Sequence, residues 1–170
     1  MKKITAILSL VAIVASALFV TSCAQKKEPT LVPAFPYNKT ATYSQNEDTG
    51  EYKWTWASAD GFTNAKGVGF QFAKFDGTTL EYRMTPNAEW TAKVVGQGRD
   101  YIQIGQGYGF ADENYTWGET ASGDRGTNAL YFKVIKTPES YEEAMEVEVA
   151  LSMCEQEMVV ATLVIEPQIY

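Results

Sequence analysis

The 170-residue chain contains no histidine and only two cysteines, Cys23 and Cys154. Without histidine, the commonest general base and metal ligand of proteins is missing. Zinc centres as usually built, Ser-His-Asp triads and Cys-His pairs are excluded. Positive charge is also scarce: 14 Lys and Arg stand against 21 Asp and Glu, a formal net charge of −7. Such a chain is a poor match for nucleic acid or for a broad electrostatic hold on anionic lipid. Past the N-terminus, long apolar runs are lacking too. The longest, residues 158–165, has the length of a strand rather than of a membrane helix.

What is present begins with an address. Lys2 and Lys3 form a positive start, and residues 4–20 are apolar except for Thr5, Ser9 and Ser16. That pattern is a secretory signal and does not enter the fold. At 17 residues the run is at the lower limit for spanning a bilayer, so a retained membrane helix is the poorer reading. Val20, Thr21 and Ser22 then lead into Cys23. This order resembles the lipobox of bacterial lipoproteins. The resemblance implies lipid on the Cys23 sulfur, cleavage before Cys23, and acylation of the new amino group. The expected organisation is a lipoprotein signal peptide over 1–22, a lipidated tether over 23–36 carrying Pro29, Pro33 and Pro36, and one domain over 37–170. Two or more acyl chains give stable anchoring. The expected location is therefore the cell envelope, lipid-anchored at the outer membrane, with the periplasmic and surface faces both open. Loss of two lysines with the leader moves the net charge from −7 to −9. With Cys23 acylated, Cys154 is a single thiol and no intramolecular disulfide can form. Its plain reading is a small packed side chain.

The domain reads as short strands. Residues 40–45 and 51–57 flank a hairpin loop that ends in Gly50. Tyr52, Trp54 and Trp56 share one face opposite Lys53 and Thr55. Val68, Phe70 and Phe72 alternate with small or polar residues, as do Leu80, Tyr82 and Met84 with Glu81 and Arg83. Turns are expected at Asp76-Gly77, Pro86-Asn87 and residues 96–99. Trp90, Ala92 and Val94 make the next strand, residues 101–104 a short one, and Leu130, Phe132 and Val134 another. One helical turn is expected over 141–144, capped from Thr137, Pro138 and Glu139. Met145, Val147, Val149, Leu151 and Met153 share a face opposite Glu146 and Glu148. Glu155-Gln156 should turn the chain into residues 158–166, an apolar and central strand. About nine short strands with no long 3.6-residue period predict an all-β, antiparallel, immunoglobulin-like β-sandwich.

From residue 68 to 168 the order of features resembles a BACON domain, a carbohydrate-associated module of Bacteroidetes. The elements are Phe70 and Phe72, Leu80 and Tyr82, Asn87 to Trp90 and Ala92, and Asp100 to Ile102. Ser122 and Gly123, then Leu130, Phe132 and Val134, and finally Ala161 through Gln168 complete the order. The segment over 137–144 departs from that family, and 105–121 looks like an insertion. The resemblance implies a glycan-associated or spacer role.

The long stretch 105–128 breaks the strand rhythm. Tyr108, Phe110, Tyr115 and Trp117 lie among Gly105, Gly107, Gly109 and Gly118, and Asp112, Glu113, Asn114 and Glu119 supply acceptors. Aromatic faces beside planar polar groups suit sugar recognition. The ligand-binding candidates are Tyr108, Phe110, Asp112, Glu113, Tyr115 and Trp117. The competing reading is a loop that buries its own aromatics as a packed lid. Tyr52, Trp54 and Trp56 have the same two readings, sugar platform or core, with core favoured; Trp90 reads as a core anchor. Residues 112–119 misplace the Gly and Glu of a calcium loop. Gly105, Gly107 and Gly109 precede no βα unit and are not a nucleotide-binding fingerprint. Paired carboxylates such as Asp112 or Glu113 with Asp124 are found on any acidic surface and do not make a glycosidase. The expectation is a non-enzymatic, membrane-anchored envelope protein without cofactor or metal that binds glycan through 105–128. The alternative is a structural or accessory subunit of an envelope or pilus-like complex that binds an envelope protein and no glycan.

Overall fold

Asn46 organises the first hairpin. Its side-chain Oδ1 accepts the N–H groups of Asp48 and Thr49, and its backbone exchanges hydrogen bonds with Glu51 and Gly50. Gly50 closes the loop at φ +70°, a backbone that side chains disfavour. The computed structural model describes residues 31–57, 69–74, 76–107, 116–126 and 128–169. Among them are ten strands: β1 (Lys39–Gln45), β2 (Tyr52–Trp56), β3 (Phe70–Lys74), β4 (Thr79–Met84), β5 (Trp90–Val95), β6 (Ile102–Gly107), β7 (Thr120–Gly123), β8 (Asn128–Val134), β9 (Met145–Met153) and β10 (Gln156–Ile165).

The strands form a β-sandwich. The larger sheet has the order β2-β1-β10-β9-β5-β7, and the smaller has β3-β4-β8-β6. Alternation explains the core. Tyr43, Trp54, Ala92, Val147, Leu151, Leu163 and Ile165 point inward from the larger sheet; Phe72, Leu80, Tyr82, Ile104, Leu130 and Phe132 point inward from the smaller. Each large apolar side chain so buried contributes at most about 1.5–3 kcal/mol. β10 is central, as expected, and carries a bulge between Val159 and Ala161 that turns the extra residue, Val160, into the core.

Several features depart from the reading of the sequence. β1 and β10 run parallel, with Lys39 opposite Ala161, whereas the other strand pairs are antiparallel. β7 is the additional strand; its sequence, Thr-Ala-Ser-Gly, has no apolar alternation to announce it. β6 continues through Gly107, three residues into the stretch expected to be loop. The tight turn between β9 and β10 lies at Cys154 and Glu155, both with positive φ, one residue earlier than expected. No helical turn forms over 141–144. Instead Glu139 donates its N–H to the Glu142 carboxylate, and Glu142 donates its N–H to the Glu139 carbonyl. Lastly, the expected tether is docked from Pro33 onward. Ala34 belongs to the core, its N–H donates to Asn87 Oδ1, and Asn87 Nδ2 donates to the Val32 carbonyl.

The docked segment fixes the two ends of the sandwich. The chain enters beside Asn87, at the end that holds the β4–β5, β7–β8 and β9–β10 connections. The opposite end holds the β1–β2 hairpin, the β3–β4 turn, the 3-10 turn at Gly96–Asp100, the β8–β9 connection and residues 166–169.

Candidate functional site

The 105–128 stretch does not persist as one loop. Gly105 lies within β6, and Gly118 pairs with Ile104 through two backbone hydrogen bonds of 2.7 and 3.0 Å. Val94 then donates to the Glu119 carbonyl, and β7 joins the edge of β5. The chain thus passes from the edge of the smaller sheet to the edge of the larger one and closes that side of the sandwich. Of the ligand-binding candidates, Tyr108, Phe110, Asp112, Glu113 and Tyr115 lie outside the described residues, as does the lipidation candidate Cys23. Trp117 is half-buried. Its ring lies so close to the Gly105 backbone that a β-carbon there would sit 3.0 Å from Cε3 and Cζ3. Lys133 Nζ lies 5.5 Å from the centroid of the same ring. The outer face beside it is also covered: Glu81 and Tyr131 are opposite one another across β4 and β8, and both are buried. The Glu81 carboxylate reaches Arg83 at 3.1 Å.

Of the other aromatics singled out in the sequence, Trp54 and Trp90 are 5% and 3% exposed and belong to the core. The Trp90 indole donates to the Asp124 carbonyl at 3.1 Å. Tyr52 and Trp56 are half-buried at the rim of the core. Their pattern therefore divides: Trp54 is an interior residue, Trp56 packs on Phe72 at 6.2 Å, and Tyr52 stacks on Tyr43 at 5.0 Å with an interplanar angle of 11°.

Two surface grooves lie among the described residues at opposite ends of the sandwich. The first, about 430 Å³, lies at the chain-entry end between β5, β7 and the β9–β10 turn, and its lining includes Trp90, Asp124, Cys154 and Glu155. Trp90 is its aromatic, and at 3% exposure it offers almost no ring surface. The second, about 380 Å³, lies at the far end. Tyr43 and Tyr52 form one wall; Ile135, Thr137, Glu139 and Gln168 line the rest. Both volumes fall within the range of small-molecule sites.

The far-end groove is built from three distant segments held by defined bonds. Gln168 Nε2 donates to Thr137 Oγ1 at 2.7 Å, and Gln168 N–H donates to the Pro138 carbonyl at 3.0 Å. Ile135 N–H donates to the Tyr101 carbonyl, and Ile169 N–H to Gln45 Oε1. Burial, aided by Tyr52 and by the charge of Asp76, pushes the Tyr43 phenol up to about 12. It therefore stays a neutral hydroxyl across the physiological range. Of this lining, only Tyr52 was legible as a candidate from its aromatic alternation. Thr137, Glu139 and Gln168 carry no local signal of a binding site and meet only through the fold. Comparison with protein-family models and with curated proteins finds no match.

Proposed function

We propose that this chain is a non-enzymatic lipoprotein of the bacterial cell envelope that binds glycan while held to the membrane by lipid on Cys23. The observation that carries the reading is the polarity of the domain. The lipobox-like run ends at Cys23, and the chain that follows docks at the Asn87 end of the sandwich. Ten extended residues, 23–32, reach at most about 35 Å. An anchored domain is then tethered to the bilayer through that end, and the part-aromatic groove lies at the other end of the sandwich. The BACON-like order of strands supports a glycan rather than a protein ligand. The lack of histidine supports binding without catalysis.

Two measurements test this reading on the full chain expressed in a bacterium with a lipoprotein pathway. Labelling with a clickable fatty acid should mark the wild type and leave Cys23→Ala unmarked. The detergent-purified wild type should be retained on immobilised glycans. Absence of label would remove the anchor, and silence across a broad glycan screen would remove the binding role in favour of a structural subunit.

A further inference from the structure

We infer that the far-end groove walled by Tyr52, Thr137, Glu139 and Gln168 is the binding site, and that its ligand is an uncharged saccharide. The inference rests on the glycan-binding reading above and gives it a place and a ligand class. Saccharide rings present apolar C–H faces and a rim of hydroxyls, so their sites combine an aromatic face with neutral donors and acceptors. Tyr52 has one ring face taken by Tyr43 and lines the groove while only half-buried. Across from it, Thr137, Gln168 and the Glu139 carboxylate supply donors and acceptors.

Charge selects the class. Lys136 and Glu139 both line the groove and offset one another, and Lys136 Nζ already lies 5.1 Å from the Tyr101 ring. Nothing in that lining forms the convergent cationic clamp that a sulfated or uronic-acid sugar needs. The walls are also ordered in advance: the 2.7 Å Gln168–Thr137 bond and the Gln168–Pro138 bond tie residues 166–169 to the β8–β9 connection. Groups already fixed lose less entropy when a ligand arrives. The other groove, around Trp90, offers acidic side chains and a covered indole, a poorer match.

The test uses the full chain in detergent micelles, titrated with neutral oligomers of glucose, mannose and xylose and with a galacturonic acid oligomer as charged comparator. We expect at least one neutral oligomer to bind weakly. Tyr52→Ala and Gln168→Ala should each weaken it by about tenfold. Tyr52→Ala also loses its stack on Tyr43, so a groove-filling variant, Glu139→Trp, provides a second measure. The Glu139 side chain lies outside the core cluster, and the variant should abolish binding with the far-ultraviolet circular dichroism spectrum and the thermal melt unchanged. Binding of a neutral oligomer that survives Glu139→Trp and Gln168→Ala would overturn the groove and leave the glycan reading intact. Preference for the galacturonate would overturn the ligand class. Failure of every oligomer would overturn this site together with the reading on which it rests.

Discussion

The indole of Trp90 lies directly against Gly123. The two residues are register partners across β5 and β7, and a β-carbon on Gly123 would meet Trp90 Cζ2 at 2.7 Å. The indole N–H continues past it to the Asp124 carbonyl. A short, polar strand is thus held to the sheet by a core side chain that needs the space a glycine leaves.

Gly123→Ala should therefore destabilise the domain by about 1–3 kcal/mol, as overpacking does. Trp90→Ala should cost about 3–5 kcal/mol. Urea denaturation of the two variants checks both values. A neutral Gly123→Ala would show that β7 can move away without loss.

Trp117 makes a different prediction. Its half-buried ring covers the Gly105 backbone and lies near Lys133. Trp117→Ala should cost about 2 kcal/mol, part of the value of a fully buried aromatic. A thermal melt unchanged from wild type would mean that this ring is not a structural contact.

Tyr82 links burial to pH. Its hydroxyl is fully buried without a hydrogen-bond partner among the described residues, and burial pushes its phenol well above the usual tyrosine value. A raised folded-state value means that the unfolded chain ionises first. The stability Tyr82 contributes is complete below pH about 10 and declines as pH rises toward the folded value. Tyr82→Phe should flatten that alkaline decline. It should also stabilise the domain at neutral pH by about 1 kcal/mol, because it removes an unsatisfied polar group. Chemical denaturation at neutral and at alkaline pH separates the two effects.

The β9–β10 turn carries left-handed backbone at Cys154 (φ 48°) and Glu155 (φ 62°). Such two-residue turns favour Asn-Gly, and left-handed geometry costs other residues about 1–2 kcal/mol. The double change Cys154→Asn, Glu155→Gly should raise the melting temperature. The wild-type Cys154 thiol, exposed on this turn, should react with a thiol reagent without denaturant. Resistance of the native thiol would place the turn under cover.

The period-2 pattern was enough to find nine of the ten strands, because inward residues such as Leu130, Phe132 and Val134 are large and their neighbours are not. What escaped the sequence is non-local. β7 is a strand only because β5 pairs with it, and the segment after Pro138 forms a turn without continuing as helix. Glu81 alternates with Leu80 and Tyr82 as a solvated residue would, yet it is 3% exposed, because the outer face of the smaller sheet is covered there. The tether shortened because Val32 and Ala34, unremarkable in sequence, find Asn87 more than fifty residues away. The groove followed the same rule: Tyr52 was visible, and the polar residues opposite it were not.

The parallel pairing of β1 with β10 has a consequence for how the molecule is made. Lys39 and Ala161 are partners, yet about 120 residues separate them, so this closure contributes heavily to contact order and should slow folding. β10 also separates the β1–β2 hairpin from the rest of its sheet. A chain emerging N-terminus first has no strand to pair with the free edge of β1 until residues 156–165 are out. Completion of the sandwich is thereby timed to the last strand, and a chain still in transit keeps one edge of its first hairpin unpaired.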